Sequence, residues 1–164
     1  NPVTEVHLKK GSSMDMNSVQ IKGVDSTVRV TKGVLEDDTS FVVSEKIMTH
    51  GNQYAETLFE VELNGENSST HVTSRSVATE DSKQKFMSKV FGNNKCFGHV
   101  ECDAIIKDNG TVQAIPEISA NSVEANLIHE AAIGKIAGEQ LTKLMTLGLT
   151  EKEAEEEIIK GFLR

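Results

Sequence analysis

The sequence predicts a mainly β chain of short strands that ends in a small α-helical segment. Three observations carry this. Apolar and polar residues alternate with period two in several runs before residue 127, and turn signals separate those runs. From about residue 127 the apolar spacing becomes helical. Residues 1–126 are therefore read as a β core and residues 127–164 as a C-terminal helical segment.

Taken in order, Val28-Arg29-Val30, Phe59-Glu60-Val61-Glu62-Leu63 and His71 through Val77 alternate as half-buried strands do. Gly11-Ser12, Gly51-Asn52, Asn64-Gly65, Gly92-Asn93-Asn94 and Asp108-Asn109-Gly110 punctuate them as turns. Lys22-Gly23-Val24 returns as Lys32-Gly33-Val34, and strand-like runs follow at intervals of roughly 8–14 residues. Short-period self-similarity favours a solenoid, whose coils bury a face on their neighbours. An antiparallel sandwich fits the same alternation. Leu127, Ala131, Ala132 and Ile136 open the helical spacing, and Leu141, Leu144 and Met145 form a helix face ended by Gly148. Thr150-Glu151-Lys152-Glu153 is a capping box, with Leu149 and Ala154 at the staple positions. Ala154, Ile158 and Phe162 supply the apolar stripe of a second helix. This pair is expected to cap an open end of the β stack or to present a ridge to a partner.

A length of 164 residues suits one domain. The formal net charge of −8 argues against nucleic acid and anionic membrane as partners. The run Glu151, Glu153, Glu155, Glu156 and Glu157 reads as a solvated helix face or as an acidic docking surface. No apolar run is long enough to span a bilayer, and the first residues do not read as a secretory leader. Two cysteines at a spacing that fits no zinc motif point to a reduced, cytoplasmic setting. No P-loop or dinucleotide fingerprint is present, so no nucleotide is expected on this chain. No nucleophile elbow appears, and His129-Glu130 lacks the second histidine of a zinc-protease helix.

The chemistry-bearing residues are Cys96, His99, Glu101, Cys102, Asp103, His129 and Glu130. Thiolate and imidazole are natural ligands of iron–sulfur centres and zinc. Alternation places Cys102 on the opposite strand face from Glu101 and Asp103. The plainer readings remain beside these: a strand cysteine serves as a small core residue, and a histidine at a strand–helix junction serves as a cap.

Several blocks together resemble the SufB/SufD family. They are Glu101 to Ile106, Ala125 to Ile136, Glu139-Gln140-Leu141, Leu147 to Ala154 and Ile158 to Phe162, with Ser74-Arg75-Ser76-Val77 upstream. The resemblance runs from about residue 71 to the last residue, and it is closer to SufB than to SufD. It implies a right-handed parallel β-helix followed by a small helical domain. It implies a scaffold rather than an enzyme, pairing through its β-helix as a homodimer or a SufB–SufD-type heterodimer. A SufC-type ABC ATPase would dock on the helices, where Leu141, Leu144, Met145, Leu149, Ile158 and Phe162 are the candidate contacts. Cys102 falls on the family's assembly cysteine and Glu130 on a cluster-ligand glutamate, so both would touch iron of a transient cluster. His129, beside them, would add a ligand or orient Glu130. Glu101 stands where relatives carry glutamine, and the upstream sulfur-accepting cysteines have no counterpart here. Two other classes stay open: a structural β module that pairs without a cluster, and a metalloenzyme using the Cys and His ligands.

Overall fold

A computed structural model describes residues 1–21 and 23–164. The chain winds as a β-solenoid, two strands to a coil: β1 (Val3–Leu8) and β2 (Ser13–Gln20), β3 (Ser26–Leu35) and β4 (Ser40–Thr49), β5 (Tyr54–Leu63) and β6 (Ser68–Ala78), β7 (Lys83–Gly92) and β8 (Cys96–Ile106), β9 (Thr111–Ala120) and β10 (Ala125–Gly134). Odd strands form one five-stranded sheet and even strands the other. Every described ladder is parallel, which removes the antiparallel sandwich. Alternation alone could not decide this, because side chains alternate in strands of either direction. Hydrogen bonds link equivalent residues 27 to 29 apart, which is the length of a coil. Lys22, on which the short repeat depends, lies outside the described residues.

The two sheets face each other across a core of inward-pointing residues. Leu8, Leu35 and Leu63 stack in register on one sheet, and Met16, Val43, Val72 and Val100 on the other. Phe41 and Phe59 meet across the middle, with ring centroids 6.0 Å apart. The expected turns fall between strands, except that Gly92 is the last residue of β7. At one corner Asn64, Asn93 and Asn121 form an amide ladder with bonds of 2.6 and 2.7 Å. Gly65 sits where a Cβ would lie 2.0 Å from the Asp37 backbone nitrogen, so only glycine lets these two coils close on each other.

Two helices follow, α1 (Gly138–Thr146) and α2 (Glu151–Phe162). Gly148 ends α1 at φ +97°, and the capping box at Thr150 and Glu153 is formed. The helical spacing from residue 127 does not yield a helix there, because β10 runs to Gly134 and helix begins only at Gly138. The strand stacks on β8 over its whole length, and this parallel pairing outweighs the alanine-rich local preference. The helices also do not cap the open end of the solenoid. The second helix lies on the outer side of the even-strand sheet. Lys107 of the loop after β8 bonds Glu155 at 2.5 Å, and Lys46 of β4 donates to the Arg164 carbonyl. Ile159 and Leu163 share an apolar cleft of about 400 Å³ with Ile21 and Met48. Beneath it, the outward column Met48–Val77–Ile105 explains why Val77 is fully buried although it faces away from the core. The acidic run is largely paired: Glu155 with Lys107, Glu156 with Lys152 and Glu157 with Lys160.

Candidate functional site

The singled-out residues converge on the last two coils of the even-strand sheet, but on two opposite faces. Inside, Glu45, Ser74, Cys102 and Ala131 form one column across four coils. At its base Glu45 is buried, and Arg29 of β3 answers it at 2.5 Å. The Glu45 carboxylate also accepts from Thr57 Oγ1 at 3.0 Å and Ser74 Oγ at 3.1 Å, and Arg29 reaches Gln20 at 2.9 Å. A charge taken from water is tolerable only when paired and bonded in this way. Cys102 stands one coil above Ser74 and is 1% exposed. Burial, with Asp103 and Glu45 adding negative charge nearby, pushes its thiol up to about 12. At neutral pH the sulfur is a protonated, apolar-packed thiol and not a thiolate.

The neighbouring inward column is Met16, Val43, Val72, Val100 and His129. Four coils present an apolar residue and the last presents an imidazole. Both ring nitrogens of His129 are shielded from solvent without a hydrogen-bond partner. Burial, then the proximity of His99, holds its pKa below the ordinary histidine value, so the neutral ring with a free lone pair is favoured. His129 pairs with Val100 and Cys102 with Ala131, which puts imidazole and thiol diagonally adjacent on one face. The expected strand–helix junction at His129 is not there; the residue lies in the middle of β10.

Outside, Thr73, Glu101 and Glu130 form a column beside His71, His99 and Ile128. Glu130 is bonded to His99 Nε2 at 3.1 Å. The histidine that orients Glu130 is thus His99, one coil back, and not its sequence neighbour His129, which points to the other face. Asp103 lies further along the outer face, where burial and the Glu101 carboxyl raise its pKa against the pull of Arg75. Cys96 faces inward and burial raises its thiol too. Cys102 and Glu130, expected to share a site, are separated by the thickness of a sheet within one chain. Among the described residues no group of three or more His, Cys, Asp or Glu side chains is placed so that it could hold a metal ion. His71 is the residue that sequence reasoning missed; its only signal is that it lies one coil, 28 residues, before His99. On the helices, Met145 is exposed while Leu141, Leu144, Leu149, Ile158 and Phe162 are half-buried. No described helix is long and apolar enough to cross a membrane.

Comparison with known proteins matches residues 2–162 to the family model described as SUF system FeS cluster assembly, SufBD core domain. The chain is 31% identical over 164 residues to an iron–sulfur cluster assembly SufBD family protein of Methanocaldococcus jannaschii, covering 99% of this chain and 52% of that protein. It is 38% identical over 102 residues to a SufBD family protein of Pyrococcus horikoshii, covering 62% of this chain and 31% of that one. It is 35% identical over 101 residues to the iron–sulfur cluster assembly protein SufB of Bacillus subtilis, covering 59% of this chain and 22% of that one. The chain spans about half the length of the first of these relatives.

Proposed function

The chain belongs to the SufBD family, and from that premise we propose that it is a scaffold for iron–sulfur cluster assembly rather than a catalyst. The observation that carries the reading is the interior pair at the open end of the stack. His129 replaces the valine of every coil below it but the first, has no partner for either nitrogen, and stands diagonally beside Cys102. Sulfur and imidazole nitrogen are the donor types that bind iron of a cluster. The nascent cluster is here cargo, taken up and passed on.

A thiol raised to about 12 does not ligate until it loses its proton. A metal ion supplies the charge that drives that loss, and binding then releases a proton. The exposed edges of β9 and β10 are where a second chain would pair, since both strands are bonded on one side only. Pairing there, with a second copy or with a SufD-type subunit, would bring further ligands towards Cys102 and His129. Glu130, on the outer face, joins a cluster only by way of such a partner or at a separate place. The ATPase of a SUF-type complex would dock on the helices through Leu141, Leu144, Met145, Leu149, Ile158 and Phe162.

One observation favours a second reading, a β module that pairs without cargo: Cys102 is packed as a core residue. Anaerobic reconstitution with ferrous iron and sulfide separates the two. The scaffold reading expects bound iron and sulfide that fall at least tenfold in Cys102→Ser and His129→Ala, with the fold retained by circular dichroism. Equal iron and sulfide in folded wild type and Cys102→Ser would sink it and leave the pairing module. Co-purification with the cognate ABC-type ATPase, lost on Leu144→Asp or Met145→Asp, tests the helical contact.

A further inference from the structure

The outer face of the odd-strand sheet is left open, since α2 lies on the even-strand sheet and α1 packs against α2. Three outward columns run along it. The central one is apolar: Val3, Val30, Leu58, Met87 and Ile115, one from each coil. Val30, Leu58 and Met87 are half-buried and Ile115 is exposed. On one side runs the column Glu5, Lys32, Glu60, Lys89 and Glu117, which changes sign at every coil. On the other side Glu56 and Lys85 stand in the third and fourth coils, between Val28 and Gln113. Within the chain Lys32 pairs with Glu60 at 3.7 Å and Lys89 with Glu117 at 3.3 Å, and all four side chains stay 29% to 50% exposed. They keep room for a second partner from outside.

We propose that this face pairs two copies of the chain, sheet on sheet, about a two-fold axis that runs along the strands between the third and fourth coils. Such an axis lays each column on its own image in reverse coil order. Glu60 then meets the partner's Lys89, Lys32 the partner's Glu117 and Glu56 the partner's Lys85, each twice by symmetry. Leu58 lies on the partner's Met87 and Val30 on the partner's Ile115. An axis through the third coil would set Glu60 on Glu60 and Glu56 on Glu56, and like charges face to face oppose pairing. An axis between the second and third coils pairs Lys32 with Glu60 but leaves Glu56 over Val28. Both charged columns therefore select the same one-coil offset. Four coils at about 4.8 Å and strands of about 33 Å give roughly 600 Å² on each copy, at the lower end of a standard interface. The edges of β9 and β10 stay free, so this contact is separate from pairing at the end of the stack and does not depend on the cluster reading.

The test is sedimentation equilibrium of the full chain and of two charge reversals, Glu60→Lys and Lys89→Glu, each alone and then mixed. Facing sheets are rotated by about 30° through their twist, so the pair nearest the axis is the one to reverse. The expected wild type dimerises at micromolar concentration. Each reversal alone sets like charges against each other across the axis and should weaken self-association at least tenfold. An equimolar mixture should associate to within threefold of wild type, because each variant supplies the sign that the other lacks. Contacts inside each chain do not change on mixing, so this recovery can come only from across the interface. A wild type that stays monomeric up to about 100 µM would overturn the proposal. So would reversals that associate within twofold of wild type, which would assign pairing to the β9 and β10 edges, or a mixture no tighter than its components. Circular dichroism checks each fold. If either reversal does not fold, Lys32→Glu and Glu117→Lys form the equivalent crossed pair and decide by the same criteria.

Discussion

The middle coils and the last coil are built to the same plan and end in different physical states. Leu63, in β5, is completely buried, whereas Ile118, inward-facing in β9, is 41% exposed. Val100 is buried in β8, and His129, the next member of its column, has unpartnered nitrogens. The difference lies in the neighbours. A solenoid residue is covered by the coil above and the coil below, and the last coil has only one of them. Burial is therefore set by position in the stack more than by local sequence.

The largest effect that would break this comparison is in the middle. Arg29→Ala leaves the Glu45 carboxylate, 4% exposed, without its counter-charge. Removing one partner of a buried pair costs about 3–5 kcal/mol. Replacing both, as Arg29→Met with Glu45→Leu, should recover most of that loss. Denaturant unfolding reads both; an Arg29→Ala loss below about 1 kcal/mol would show that water already reaches Glu45. The comparison is sharpened by truncating one residue in each region. Leu63→Ala should cost about 2–5 kcal/mol through lost transfer and a residual cavity. Ile118→Ala should cost less than about 1 kcal/mol in the isolated chain, because much of its side chain is already in water. If a partner covers the last coil, Ile118→Ala should weaken pairing far more than it weakens folding, which sedimentation at several concentrations would show.

The strands, the turns and the helical tail were legible in the sequence because each has a local cause. Alternation marks a half-buried strand, Gly148 a left-handed helix stop, and Thr150 with Glu153 a reciprocal cap. The opposite facing of Cys102 from Glu101 also followed from period two. What local chemistry cannot give is register between coils. The pairing of His99 with Glu130 and the stacking of His71 on His99 join residues about one coil apart, and nothing within either segment announces the other. The same gap hid β10. Ala131, Ala132 and Ile136 carry a helical spacing, and only the bonded edge of β8 decides in favour of strand. The placement of α2 depended likewise on Lys46 and Lys107, which lie far from it in sequence.

The last test concerns the Cys102 thiol and asks whether the coil below the last is as closed as the geometry implies. Its pKa is raised from 9.0 to about 12 by burial first and by Asp103 and Glu45 after it. Folding therefore favours the protonated form, and the unfolded chain gives up the proton first as pH rises. The contribution is complete below about pH 9, is lost progressively above it, and is exhausted at about pH 12. By pH 10 the loss is roughly 1 kcal/mol. Tyr54 and Lys107 are also raised, so the informative quantity is the difference in alkaline slope between wild type and Cys102→Ala. Wild type should fall more steeply from pH 8 to 10, and its thiol should resist alkylation at pH 8 until the chain is unfolded. Parallel slopes with rapid alkylation would mean that the last coil opens readily. Cys102 would then meet solvent and cargo without a partner's help, and the contrast between middle and end would begin one coil earlier.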